Sequence, residues 1–457
     1  MHRNTKRFIS KDTFYARCIL LGEEASLPER TAAGKLSQFL DVDVRVIRSV
    51  REEEWLGEDM IIVGCAHTNP VVKALFEKGL LDLPEDWRGD SEEGIILKSL
   101  PNPYRKGKKL IAVSGSGPRG VLYAAYTLME KTRINRGIPE EIKILEQPKF
   151  RFRAHWQPSS PVGKKPFTWY LLRHPEATWF EDLISLIASY RANTFILGVT
   201  IVTQIEGHSV QRMVREHASD LAGVTRLLSK YGLELYLSFP LEDQEWIAQQ
   251  EEAGDPHPFC PYNPRLESYW RDFVRVLNQG CPEFKGVILK GAGIEARALW
   301  DCGCDKCQGK PRSRRMIDSL VMLYKVLKEF DKKLIYRTWQ SGNSDDEYRD
   351  FAPLVGRIPS DIAIHSKSAF WDHMAYTAPH PLLGKVYPLN DAITNLDGSG
   401  EYAGGNRYPN CMIERWKERV KFCEGKVSGF DVWIGCYPGE AHLDRLKEEM
   451  NPLSFVN

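Results

Sequence analysis

From about Pro148 onward one pattern recurs: a short apolar run, a stretch with helical spacing, then another apolar run. The runs are RFRAHW (151–156), NTFILGVTI (193–201), LELYLSF (233–239), GVILKG (286–291), KLIYRTW (333–339), DIAIHSK (361–367), GKVYPLN (384–390) and VSGFDVWIG (427–435). Helices are expected at 177–190, 211–230, 265–279 and 313–330, with a last one from Glu440 to Met450. Strands this apolar need cover on both faces, which a parallel sheet wrapped in helices supplies. Eight such units closing on themselves make a (β/α)8 barrel. The expected fold is therefore α/β: a small N-terminal α/β domain over 1–147, followed by a (β/α)8 TIM barrel over 148–457.

In the N-terminal part, DMIIVGCA (59–66) and KKLIAVSG (108–115) read as strands, with a helix at Pro70–Lys78 and a loop LPEDWRGDSEEG between them. GSGPRGVLYAAYTLMEKT opens on a Gly/Pro turn and becomes a helix near Arg119, with Val121, Leu122, Ala125 and Leu128 at helical spacing. The glycines invite a phosphate-loop reading. It fails, because no Lys-Ser/Thr follows and no dinucleotide fingerprint is complete. A tight turn that packs a helix on a sheet is the expectation.

Barrel active sites sit at the carboxyl ends of the strands, and three acids fall there. Glu295 lies in VILKGAGIEAR, Asp372 in IAIHSKSAFWDH and Glu401 in NLDGSGEYAGG. Cleavage of a glycosidic bond needs paired carboxyl groups, one to protonate the leaving oxygen and one to activate water or attack carbon. An acid in a loop is also commonly no more than a solvated charge, so the pattern of three carries the reading. The formal net charge of +1 argues against a polyanionic nucleic-acid partner. No apolar run reaches membrane-spanning length, and the basic start lacks a signal-peptide core, so a cytoplasmic, non-membrane protein is expected.

These segments resemble the α-glucuronidases of glycoside hydrolase family 67. GSGPRGVLYAAYTLME is similar to the small α/β domain that precedes several exo-acting barrels, those enzymes and β-hexosaminidases among them. EYRDFAPLVGRIPSDIAIHSKSAFWDHMAYTAPHPLLG resembles the family stretch that runs through a strand into a water-activating acid, here with Lys367 and Asp372. LDGSGEYAGG resembles the segment carrying the second such acid, here Glu401, and RAHW (153–156) resembles the first barrel strand, which lines the sugar pocket. Glu295 stands where the family has a longer acidic loop. Two features depart from the family pattern: the sequence stops after the barrel, where members carry a large helical C-terminal domain, and DCGCDKCQG follows the acid loop directly.

The resemblance implies exo-acting removal of an α-linked glucuronic or similar uronic acid from an oligosaccharide or glycoside, by inversion. Glu295 would be the general acid, while Asp372 and Glu401 would hold the water. An acidic sugar calls for a cationic clamp, and Lys290, Arg297, Arg337 and Lys367 are the candidates; Arg suits a carboxylate because its planar fork makes two parallel hydrogen bonds. Each could equally be an ordinary ion pair. His155 and His365 could donate to a sugar hydroxyl or be satisfied core histidines. Trp156, Trp339, Trp371 and Trp433 could stack on a sugar or simply pack the barrel. Asp431 and Glu440 are further polar candidates near strand eight. Two other readings stay open: an exo-glycosidase for a neutral or N-acetylated sugar, and a non-catalytic carbohydrate-binding protein. Association into a homo-oligomer is also left open.

The chemistry itself calls for no cofactor. Cys302, Cys304 and Cys307, spaced C-x-C-x-x-C, could nonetheless hold a structural zinc with a fourth ligand from elsewhere. Cys281 is the favoured fourth donor, with Cys260 or a histidine as alternatives. Such a metal would staple the loop that follows Glu295.

Overall fold

A computed structural model of the chain describes residues 13–50, 56–157, 161–162, 165–166, 178–198, 210–290, 299, 301–338, 352–367, 392–397 and 413–433. The chain divides into two compact units. One is Met1–Lys149 with Ser185–Arg191 and Ser229–Gly232; the other is Phe150–Ile184, Ala192–Leu228 and Leu233–Asn457.

The first unit is built on six strands: β1 (Cys18–Gly22), β2 (Val44–Ile47), β3 (Met60–Val63), β4 (Ile95–Pro101), β5 (Lys109–Gly115) and β6 (Lys143–Glu146). Their order is β2-β1-β3-β5-β4-β6, with β4 antiparallel to both of its neighbours and the other pairings parallel. Helices α1 (Leu27–Leu40), α2 (Pro70–Glu77) and α3 (Pro118–Asn135) complete it. The glycine turn before α3 serves close packing, as expected. A Cβ on Gly120 would stand 2.1 Å from the Gly94 carbonyl oxygen, so only glycine lets this helix start lie on the sheet.

The second unit is a closed parallel barrel of eight strands. They are β7 (Phe152–Gln157), β8 (Thr194–Gly198), β9 (Glu234–Pro240), β10 (Gly286–Lys290), β11 (Lys333–Thr338), β12 (Ala363–Lys367), β13 (Ala392–Asp397) and β14 (Gly429–Trp433). Each pairs with the next, and β14 closes on β7. The described helices between these strands in the chain are α4 (Thr178–Ser189), α5 (Val210–Lys230), α6 (Gln244–Glu252), α7 (Pro264–Gly280), α8 (Arg312–Glu329) and α9 (Ile413–Cys423). The fold is the (β/α)8 barrel that the strand–helix repeat implies. One register differs from expectation: the seventh strand is Ala392–Asp397, whereas GKVYPLN (384–390) lies outside the described residues.

The barrel interior is filled from its lower end by Phe152, Ala154, Ile196, Tyr236, Ile288, Ile335 and Ala363. Gly286 makes room for this layer: a Cβ there would meet the Lys333 carbonyl at 2.4 Å and the Tyr236 ring at 2.9 Å. No helix among the described residues is long and apolar enough to cross a membrane.

Candidate active site

Side chains two residues apart on a strand share a face. Along the inward face the composition changes toward the carboxyl ends: Ile288 is followed by Lys290, Ile335 by Arg337, Ala363 by His365, and Gly429 by Asp431. A buried polar layer thus caps the apolar one, at the end where barrel enzymes place their chemistry.

Trp156 is the centre of this layer. Its indole is 1% exposed. The Arg337 guanidinium lies over it at 4.5 Å from the ring centroid, the Lys290 ammonium at 5.5 Å, and the His365 ring at 5.7 Å. The negative face of the indole attracts both cations, more strongly where water is excluded. Both cations are buried as well. His365 Nε2 meets Asp431 Oδ1 at 2.5 Å, with both side chains almost wholly shielded. Burial pushes the imidazole below its ordinary pKa; Asp431 opposes this, and Arg337 and Lys290 add to it. His365 is therefore a neutral ring whose Nε2–H donates to the carboxylate.

Strand parity separates the two residues of the His-Trp pair. His155 points outward, stacked on Phe195 at 5.7 Å, and Phe195 in turn packs edge-on against Phe180 of α4. His155 thus lies under the helical layer and not on the inward face. Lys367 and Trp433 end β12 and β14; Trp433 is in register with Trp156, and both side chains lie outside the described set. Glu295, Arg297, Trp339, Trp371, Asp372, Glu401, Glu440 and the expected helix 440–450 also lie outside the described residues.

Two acids at the end of β9 escaped the sequence reading. Glu242 is buried and accepts the Leu299 backbone N–H at 2.8 Å. Asp243 caps α6 through the Trp246 N–H at 3.1 Å and accepts the Tyr269 hydroxyl at 2.9 Å. The rule that singled out Glu295, an acid just past an apolar strand, finds Glu242 in LEDQEW equally well.

Cys260, Cys302, Cys304 and Cys307 bring their four sulfurs within 4.8 Å of one another, close enough to chelate a metal ion. Burial works against ionising Cys304, but hydrogen bonds from the Cys260 thiol, the Cys307 backbone and the neighbouring thiols bring it down to about 7. Cys281 is not part of this group. It follows α7 and its thiol donates to Thr225 Oγ1 at 3.8 Å. The 17 residues of α7 set the two ends of that helix roughly 25 Å apart, so Cys260, the alternative donor before the helix, takes the fourth place.

The fold has known counterparts. Alpha-glucuronidase A of Emericella nidulans is 20% identical over 409 residues, covering 77% of this chain and 44% of that protein. "Probable alpha-glucuronidase A" of Aspergillus fumigatus is 19% identical over 350 residues, covering 72% of this chain and 38% of its own length. The chain thus spans about two fifths of the length of the curated relatives it matches. Among solved structures, a GH138 enzyme targeting pectin rhamnogalacturonan II superposes with a TM-score of 0.58 at 11% identity, over 91% of this chain and 46% of that one. CpGH84B superposes with a TM-score of 0.57 at 14% identity, over 97% of this chain and 67% of that one. Residues 163–428 match the family described as "Glycosyl hydrolase family 67 middle domain", a stretch that holds β8 to β13. With more than half of its length inside that match, the chain belongs to glycosyl hydrolase family 67.

Proposed function

We propose that the protein is an exo-acting glycoside hydrolase that removes an α-linked glucuronic acid, or a similar uronic acid, from an oligosaccharide or glycoside. The observation that supports this reading is the buried layer in which Lys290 and Arg337 lie over Trp156, at the carboxyl ends of the barrel strands. A sugar carboxylate is an anion that the Arg337 fork suits. With 1% of its surface exposed, Trp156 supports the cations from below and leaves little face for stacking on a sugar. Neutral His365, held by Asp431, adds no third positive charge.

In this reading Glu295 protonates the leaving oxygen, and Asp372 and Glu401 hold the attacking water on the opposite face of the sugar. Inversion then follows, with the acid and base carboxyls roughly 6.5–9.5 Å apart. The test is incubation with aryl α- and β-glycosides and short glucuronylated xylo-oligosaccharides, with released sugar read by mass. A released uronic acid that disappears in Glu295→Gln supports both the substrate class and the general acid. Release of only neutral or amino sugars refutes the uronic-acid assignment. No turnover across the panel by folded protein would move the protein to a binding role.

A further inference from the structure

The four-cysteine cluster lies outside the polar layer of the barrel and is not needed for the chemistry above. It joins two segments: Cys260, four residues before α7, and Cys302, Cys304 and Cys307 in the stretch between β10 and α8. Cys260 Sγ is 3.5 Å from both Cys304 Sγ and Cys307 Sγ. Four thiolates about 2.3 Å from a tetrahedral Zn2+ stand about 3.8 Å from one another. Disulfide sulfurs are about 2.0 Å apart, and all four cysteines are unbridged.

The surrounding backbone is organised as a metal loop requires. The Cys307 and Gln308 N–H groups both donate to the Cys304 carbonyl at 2.9 Å, a tight turn that brings two sulfurs to one side. The Tyr262 N–H donates to Cys260 Sγ at 3.4 Å, and the Arg315 guanidinium holds the Cys302 carbonyl at 2.7 Å. Zn2+ with four thiolates carries a net double negative charge. Cations lie nearby: besides Arg315, Lys306 donates to the Tyr262 carbonyl at 3.3 Å and Lys310 lies 3.7 Å over the Tyr262 ring, whose hydroxyl donates to Asp318.

We propose that Cys260, Cys302, Cys304 and Cys307 bind one Zn2+ as a closed structural site that fastens the segment after β10 to the entry of α7. Thiolates fill all four positions, so no position remains for water or sugar, and the role is structural rather than catalytic. Binding displaces the thiol protons to solvent, and the metal takes part in no redox step. Together with Glu242, which holds the Leu299 N–H, the site anchors the chain on the C-terminal side of the segment carrying Glu295. The proposal stands apart from the glycosidase reading, because it is tested by metal content and not by turnover.

The experiment is elemental analysis of the full chain purified from zinc-supplemented culture, together with Cys260→Ser, Cys304→Ser and Cys281→Ser. One zinc per chain is expected in the parent and in Cys281→Ser, with zinc lost from the other two. Cobalt substitution of the parent should give the visible ligand-field bands of a tetrahedral tetrathiolate. If the serine variants fail to fold, titration of the folded parent with a mercurial, in the presence of a zinc-sensing dye, gives the stoichiometry directly, with zinc leaving as four thiols react. Parent protein from zinc-supplemented culture that holds no zinc, with the four thiols fully titratable or lost to disulfides, overturns the proposal. Zinc retained by both Cys260→Ser and Cys304→Ser overturns it as well.

Discussion

Replacing His365 with glutamine should change how the stability of the barrel depends on pH. The imidazole is 1% exposed, donates to Asp431, and lies near Arg337 and Lys290. Burial is the largest influence on it and lowers its pKa from the ordinary 6.5. In the unfolded chain the ring titrates near that ordinary value. Between the folded and unfolded pKa values the unfolded chain therefore binds a proton that the native state refuses. Stability is fully present above about pH 6.5 and is lost as pH falls through that window, with a limiting slope of about 1.4 kcal/mol per pH unit for one group. Glutamine can still donate to Asp431 but does not titrate. Urea unfolding, read on the fluorescence change as buried Trp156 and Trp270 become exposed, gives ΔG for both proteins from about pH 5 to about pH 7.5. Subtracting the two curves cancels every other titrating group. The difference, parent minus variant, should rise with pH and flatten above about pH 6.5. A difference that grows as pH falls would mean that the native barrel holds a protonated His365, and a flat one that burial leaves its pKa unshifted; either would refute the charge assignment.

Three further outcomes follow from particular contacts. Glu29 is fully buried and accepts the Ser26 N–H at 2.7 Å and the Cys65 N–H at 2.9 Å, so Glu29→Ala should destabilise the N-terminal unit by about 3 kcal/mol in chemical unfolding. Burial opposes ionisation of Glu29, but hydrogen bonds from Thr68, Ser26 and Cys65 prevail and lower its pKa; its contribution should therefore persist above about pH 4.3 and fade as pH falls through the lower folded value. Gly286→Ala puts a methyl group against the Lys333 carbonyl and the Tyr236 ring and should cost about 1–3 kcal/mol, read as a lowered urea midpoint at unchanged m-value. Arg337→Lys keeps the charge but loses the fork, so on a uronoside it should lower kcat/KM by about tenfold or more while leaving hydrolysis of a neutral glycoside unchanged.

The barrel was legible in the sequence because its strands are short apolar runs with amphipathic helices between them. The helices expected at 211–230 and 265–279 are Val210–Lys230 and Pro264–Gly280 in the structure. The seventh strand was not legible: AITNLD alternates too little, and the neighbouring GKVYPLN, with Val386 and Tyr387 in its middle, reads as a strand as well. β1 was missed for another reason. CILLG is buried at every position, but it follows a basic opening that gives no turn signal. In the site, residue type and nearness to a strand end singled out Lys290, Arg337, His365 and Trp156 together. They could not tell His155 from Trp156, because parity decides which of two neighbours faces inward, and parity is fixed by the pairing with β8 and β14. The C-x-C-x-x-C spacing revealed three ligands. The fourth depended on which end of α7 lies beside them, and that is a property of the packed fold.

The most direct measurement of the central claim is a comparison of kcat/KM for two substrates with the same aryl leaving group, an α-D-glucuronide and the corresponding α-D-glucoside. They differ only in carrying a carboxylate or a hydroxymethyl group at C6, the group that Lys290 and Arg337 are proposed to meet. The glucuronide should be favoured by at least about 100-fold, roughly 2.7 kcal/mol, and the preference should collapse in Arg337→Ala. Equal turnover of the two substrates, or a preference for the glucoside that Arg337→Ala leaves unchanged, would contradict it.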